Sequence, residues 1–222
     1  MANKKIRPII TIDGPAASGK GTVTKSIAND LNLFYLETGI FYRAIGKLFL
    51  VNKKKNNIKI FLNSITQESF FIDKANKQEL YNEEVAEIAS TLAKLKEVRS
   101  FVLAKQLEML KHYPNKFKGI ILEGRDCGTV IAPNADVKFF LNAKLEIRAK
   151  RRHQQLFKQD KKTMYEKVYM ELKARDDNDI SRKNSPLVKA EDAIEIDCSS
   201  TDIEETIMIV KKIIFSKLPN FI

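Results

Sequence analysis

Apolar residues along the chain fall into short runs separated by longer segments with helical spacing. Residues 8–12, Pro-Ile-Ile-Thr-Ile, are short, apolar and β-branched, which suits a buried strand. Residues 22–31 then place Val23, Ile27 and Leu31 on one helical face. Residues 33–36 predict a second short strand and 41–51 another helix. NKKKNN, residues 52–57, is a polar connector, and within 58–81 the runs IKIFL and SFFID predict a small β-containing insertion. Helical pattern returns near Glu83 and runs, with a break, to His112. Residues 119–122, ending at Glu123, and 137–141 are buried-type strands. Residues 144–157 and 163–175 predict charged helices, 176–191 a polar loop, 193–197 a last strand and 202–215 a last helix. Apolar strands alternating with amphipathic helices indicate βαβ units and a parallel sheet, an α/β fold. In such sheets ligands bind beyond the carboxyl ends of the strands.

The length, 222 residues, fits one domain with insertions. Hydrophobic residues at 44% and charged residues at 30% exclude global disorder. Lys and Arg number 39 against 28 Asp and Glu, a net +11 that favours anionic partners without choosing among nucleotides, nucleic acid and acidic surfaces. Much of that excess is Lys on expected surface helices. The two cysteines, Cys127 and Cys198, form no paired CxxC motif, which argues against a zinc site or a disulfide framework and for reduced thiols. The apolar run after the basic start is too brief for a signal-peptide core, and nothing approaches the ~18 apolar residues of a membrane span. A cytoplasmic location is expected.

The sharpest motif is Gly14-Pro15-Ala16-Ala17-Ser18-Gly19-Lys20-Gly21-Thr22, a GxxxxGK loop between a predicted strand and a predicted helix. Small residues let backbone N–H groups turn inward around phosphate oxygens, and the helix N-terminus adds a favourable dipole. Lys20 supplies positive charge for a transferring phosphate. All nine residues are candidate nucleotide-binding positions. The residue after Lys20 is Gly21, with the hydroxyl one step later at Thr22, so magnesium leans more on phosphates and water than on the loop.

Four further segments narrow the reading. They are Leu36-Glu37-Thr38-Gly39-Ile40-Phe41-Tyr42-Arg43, Glu123-Gly124-Arg125-Asp126-Cys127-Gly128-Thr129-Val130, Arg175-Asp176-Asp177-Asn178-Asp179 with Arg182, and Ser185-Pro186-Leu187 running into Ala190-Glu191-Asp192-Ala193. In this order, after a GPxxSGKGT loop, the chain resembles the bacterial cytidylate kinases of the P-loop nucleoside monophosphate kinase group, over roughly residues 8 to 215. The resemblance implies a P-loop fold with a five-stranded parallel sheet flanked by helices. It implies a single kinase domain, with a core of 1–51, 82–148 and 193–222, a monophosphate-binding insertion at about 52–81, and a short lid and substrate loop at about 149–192. It further implies ATP-dependent phosphorylation of CMP and dCMP to CDP and dCDP, with Mg²⁺, by a monomer with no nucleic-acid or membrane partner.

The residue roles fit the chemistry. The acceptor is a phosphate oxygen, anionic at neutral pH, so no strong general base is needed and none is evident. Catalysis then rests on positioning and charge, carried by Lys20, Arg125 and Asp126. Arg suits phosphate through its planar fork, and by resemblance Thr38, Tyr42, Arg43 and Arg125 surround the acceptor, with Asp126 orienting Arg125 or nearby water. A guanidinium facing O2 and N3 favours cytosine over uracil. By resemblance Ser90, Arg99 and Arg182 occupy base-reading positions, while Asp179, four residues after Arg175, reaches ribose hydroxyls. Relatives commonly carry Arg where this chain has Tyr81. Arg148, Arg151 and Arg152 face either ATP phosphates or solvent, and no metal-ligand cluster is evident. Two alternatives stay open: another small-substrate P-loop kinase (adenylate, shikimate or dephospho-coenzyme A kinase) and a basic nucleic-acid-binding protein on a nucleotide fold.

Overall fold

A computed structural model describes residues 7–51, 57–66, 78–158 and 163–221. Among these residues the strands are β1 (Ile9–Asp13), β2 (Leu33–Glu37), β3 (Gly119–Gly124), β4 (Val137–Asn142) and β5 (Ile194–Asp197). The helices are α1 (Lys20–Asp30), α2 (Gly39–Val51), α3 (Ile58–Asn63), α4 (Glu83–Leu92), α5 (Lys96–His112), α6 (Leu145–Phe157), α7 (Tyr165–Ser181) and α8 (Ile203–Lys217). Two compact units emerge, Met1–Glu37 with Tyr113–Ile222, and Thr38–His112.

The first unit holds a sheet of order β2-β3-β1-β4-β5 in which every pairing is parallel. Central β1 sets Ile10 opposite Ile121 and Val137. Ile10 and Ile12 are fully buried on one face, and Thr11 and Asp13, which alternate with them on the other, are buried as well, as expected of a central parallel strand covered on both sides. Val23, Ile27 and Ala28 of α1 and Val210 and Ile214 of α8 pack with Ile10, Ile12, Phe139 and Leu141 into one core. Asp202 starts α8 with a reciprocal cap: its carboxylate accepts from Glu205 N–H, and the Glu205 side chain accepts from Asp202 N–H. A second cluster joins Ala149 and Leu156 of α6 with Val168 and Leu172 of α7 and takes in Ala16 of the phosphate loop.

Helix α7 runs to Ser181, six residues beyond the predicted end at 175, so the expected polar loop is helical through its first six positions. Local propensity disfavours Asp176, Asp177 and Asn178 in a helix, but Asp176 and Asp179 each find an arginine partner and tertiary pairing prevails.

In the second unit α2 and α4 approach closely at Gly46, where a Cβ would stand 3.0 Å from the Val85 carbonyl oxygen. The IKIFL run expected in a β-containing insertion forms α3 instead. Asn57 caps it by accepting from Lys59 and Ile60 N–H, and Phe61 and Leu62 are buried. The SFFID run, with residues 52–56 and the rest of 67–77, lies outside the described residues. The break predicted between Glu83 and His112 falls at residues 93–95, separating α4 from α5.

Candidate active site

The loop between β1 and α1 forms where the sequence placed it, and its backbone explains its composition. A Cβ at Gly14 would lie 2.1 Å from the Leu141 carbonyl oxygen, so no other residue fits. Ala17 (φ 57°) and Gly19 (φ 89°) both take left-handed conformations, and Gly19 opens α1. Ser18 is buried, and its Oγ meets no hydrogen-bond partner among the described residues. Thr22 is exposed.

Lys20 is 5% exposed, with Nζ donating to the Pro15 carbonyl at 3.0 Å. Burial and the charges of Arg125 and Arg175 lower its ammonium to about 7; the carboxylates of Glu123 and Asp179 oppose this. Glu123 is the penultimate residue of β3, beside the loop, its Oε2 accepting from the Tyr35 hydroxyl at 2.5 Å. A Cβ at Gly21 would lie 3.2 Å from that same oxygen, so the glycine after Lys20 makes room for the carboxylate. Sequence reasoning quoted Glu123 within a motif without giving it a role; its place at the carboxyl end of a strand was the available signal.

Arg125 pairs with Asp179, a partner that the motifs did not indicate, where Asp126 was expected to orient the arginine. Arg125 Nε donates to Asp179 Oδ2 at 2.9 Å, and Arg182 Nη1 donates to Asp179 Oδ1 at 3.2 Å. Burial raises Asp179, but Arg125, Arg182 and Arg175 outweigh it and hold the carboxyl below its ordinary value. Thus Asp179 orients Arg125 at Nε. Asp126 is buried at the start of a π-helical turn, Cys127–Ile131. That turn is fastened to β1 by Asp13, whose two carboxylate oxygens accept from Cys127 N–H at 2.9 Å and Gly128 N–H at 2.8 Å. Burial raises Asp13 above its ordinary value, and nearby Asp126 adds to this. Nothing in the motif spacing pointed to Asp13. Cys127 is a buried thiol, and Arg175 is exposed on α7.

A cavity of about 720 Å³ opens beside the loop, lined by Gly19 to Thr22, Glu123, Arg151, Arg152, Gln155 and residues 199–203. Arg151 Nη2 donates to the carbonyls of Cys198 and Thr201, holding this wall. Arg152 lines the cavity, while Arg148 is buried under the loop. The three arginines left between phosphate and solvent by sequence thus have three different settings.

The second unit carries Thr38, Tyr42, Arg43, Ser90 and Arg99. Arg99 is buried, donates to the Ala93 carbonyl at 3.2 Å, and stands 5.4 Å from the Tyr42 ring centroid. Arg43 donates to the Leu80 carbonyl at 2.9 Å and lies 5.1 Å from the Tyr81 ring centroid. Tyr81 therefore buttresses the arginine in this chain. Thr38 is buried, and its carbonyl accepts from Gln106 Nε2 at 3.1 Å. Ser90 is exposed on α4. Among the described residues no group of three or more His, Cys, Asp or Glu side chains is arranged to hold a metal ion.

A phosphate loop at the end of a central parallel strand, ringed by arginines, defines a P-loop nucleotide-binding protein. Residues 10–216 match the family described as "Cytidylate kinase", and the chain belongs to that family. It is 41% identical over 207 residues to a cytidylate kinase of Fervidobacterium nodosum, covering 89% of this chain and 92% of that protein. It is 40% identical over 225 residues to a bifunctional pantoate ligase/cytidylate kinase of Prochlorococcus marinus, covering 95% of this chain but 42% of that longer protein. Among solved structures, TT1252 from Thermus thermophilus shares the fold, with a TM-score of 0.52 at 16% identity over 96% of this chain and 99% of the other. The chain is thus a nucleotide-binding kinase, and neither alternative reading gains support. Among the described residues no helix is long and apolar enough to cross a membrane.

Proposed function

We propose that this chain transfers the γ-phosphate of ATP to CMP and dCMP, giving CDP or dCDP and ADP, as a cytoplasmic monomer in pyrimidine nucleotide metabolism. One arrangement carries the reading: a loop of small residues ends in the buried Lys20, and beside it Arg125 is held in place by Asp179. A cluster of cations beside a phosphate loop suits a polyanion. ATP binding supplies it, raising the lysine again and fixing its proton against the transferring phosphate.

In this reading the loop 14–22 cradles the donor phosphates, and the cavity between the start of α1 and residues 199–203 takes the donor nucleoside. Arg125, held by Asp179, bridges toward the acceptor phosphate. Each Asp179 oxygen spends one lone pair on an arginine and keeps another for a ribose hydroxyl. Arg43 and Thr38 serve the acceptor phosphate, and Tyr42, Ser90, Arg99 and Arg182 the cytosine. Residues 52–81 act as the monophosphate-binding insertion and 149–192 as the lid that excludes water, which limits ATP hydrolysis.

Magnesium fits the donor set. The Thr22 hydroxyl and the Glu123 carboxylate line the cavity beside the loop and are hard oxygen donors that would suit the ion. Glu123 would hold the ion or its water, and the ion would supply charge neutralisation for the phosphates. The test is product analysis: with MgATP and CMP, chromatography should show CDP and ADP in equal amounts. ADP without CDP would contradict the proposal.

A further inference from the structure

Arg148 and Asp176 are 6% and 7% exposed, and both contact the phosphate loop from behind. Arg148 Nη1 donates to the Ala16 carbonyl at 3.0 Å and to Asp176 Oδ2 at 2.5 Å, while its Nε donates to the Ala143 carbonyl at 2.7 Å. Asp176 Oδ1 accepts from Ala16 N–H at 3.2 Å. The pair therefore grips both backbone polar atoms of Ala16, which belong to two successive peptide planes. The Ala16 side chain is buried with Ala149, Leu156, Val168 and Leu172 between α6 and α7. The next residue, Ala17, carries the left-handed turn. A buried ion pair adds little net stability compared with apolar packing, so its retention here fits a geometric purpose. The Ala16 N–H is also committed to Asp176, leaving the phosphates to other loop groups.

Asp176 directly follows Arg175 on α7, and Asp179 lies one turn later with Arg125 and Arg182 attached. We propose that Arg148 and Asp176 are positioning residues that lock the donor phosphate loop to the helix carrying the acceptor residues, coupling donor and acceptor binding. The coupling rests on the functional reading above; the loop-positioning half does not. Neither residue touches the reacting atoms. Asp176 and Asp179 stand one turn apart on the same face of this helix, the first fastened to the loop and the second to Arg125, so a shift imposed at Asp179 moves the Ala16 anchor.

The experiment is calorimetric titration of the full chain with Mg²⁺ and a non-hydrolysable ATP analogue, with and without saturating CMP. In the wild type, CMP should change analogue affinity by a factor in the ordinary coupling range of about 5 to 150. Asp176→Asn keeps the shape but breaks the pair. The double variant Arg148→Met/Asp176→Leu replaces the pair by apolar groups of similar volume and guards against a simple folding defect. Both should bind the analogue about 10-fold more weakly without CMP, bind CMP alone as the wild type does, and lose the coupling. Wild-type analogue affinity and coupling in both variants would overturn the inference. So would equal weakening of both nucleotides in step with a lowered Tm, the mark of a merely structural pair. Failure of the wild type to bind CMP would overturn the functional reading and the coupling with it, a result distinguishable from failure in the variants alone.

Discussion

Lys20→Met should make the nucleotide-free protein more stable while removing its activity. The lysine ammonium is buried and lowered from 10.5 to about 7. Between those values the unfolded chain holds a proton that the native chain releases, so this group makes stability rise with pH across the window. The displacement corresponds to about 5 kcal/mol, of which about 4 kcal/mol remains at pH 7, where the native group is half titrated. Methionine keeps the apolar stem without the charge but leaves the Pro15 carbonyl without its donor, at a cost of about 1 kcal/mol. The net gain at pH 7 is about 3 kcal/mol, or about 6 to 12 °C in Tm. Denaturant unfolding of both proteins from pH 7 to 10.5, without nucleotide, is the assay. The advantage of the variant should shrink steadily as pH rises, because the wild type loses its buried charge. Saturating MgATP should reverse the order by stabilising the wild type selectively. ADP release should fall by about 100-fold or more. A variant no more stable at pH 7, or an advantage that does not shrink with pH, would refute the account of Lys20 as a cation held in readiness for phosphate.

Other outcomes follow from neighbouring contacts. Asp179→Ala releases both Arg125 and Arg182, so KM for CMP should rise by about 10-fold or more while KM for ATP changes little; unchanged CMP kinetics would contradict the role. Tyr81→Ala removes the ring beside Arg43 and should raise KM for CMP about 2- to 5-fold at unchanged kcat, as expected of a partly exposed cation–π contact. Glu123→Gln should raise the Mg²⁺ concentration needed for half-maximal rate, read from a magnesium titration at fixed ATP. Asp13→Asn sets an NH₂ group against one of two backbone N–H donors, so about 1–3 kcal/mol of stability should be lost by denaturant unfolding, with kcat lowered through the displaced Arg125–Asp126 turn.

The strands and the phosphate loop were readable because their signals are local. A buried parallel strand is rich in β-branched apolar residues, and a loop that wraps phosphate must be built of small residues before a lysine. The course of α7 past residue 175 was not readable, since its support comes from Arg125 and Arg148, far away in sequence. IKIFL was ambiguous for a different reason. Five largely apolar residues satisfy either period, and the Asn57 cap, seated at the end of a polar run, decided for helix. Among the site residues, Arg125 and Asp179 stood out in their motifs, but their pairing with each other did not. Asp13, the Asp176 clamp and the buttressing of Arg43 by Tyr81 were not legible either, because each depends on a partner set by the fold.

The central claim is that these charges are arranged for transfer to a cytidine monophosphate. ADP release by the wild-type protein with MgATP, measured against CMP, dCMP, UMP, AMP, shikimate and dephospho-coenzyme A, tests it most directly. The account predicts the highest kcat/KM for CMP and dCMP, with UMP disfavoured by the unpaired buried groups it leaves. Preference for any other acceptor, or ADP release indifferent to the acceptor, would contradict it.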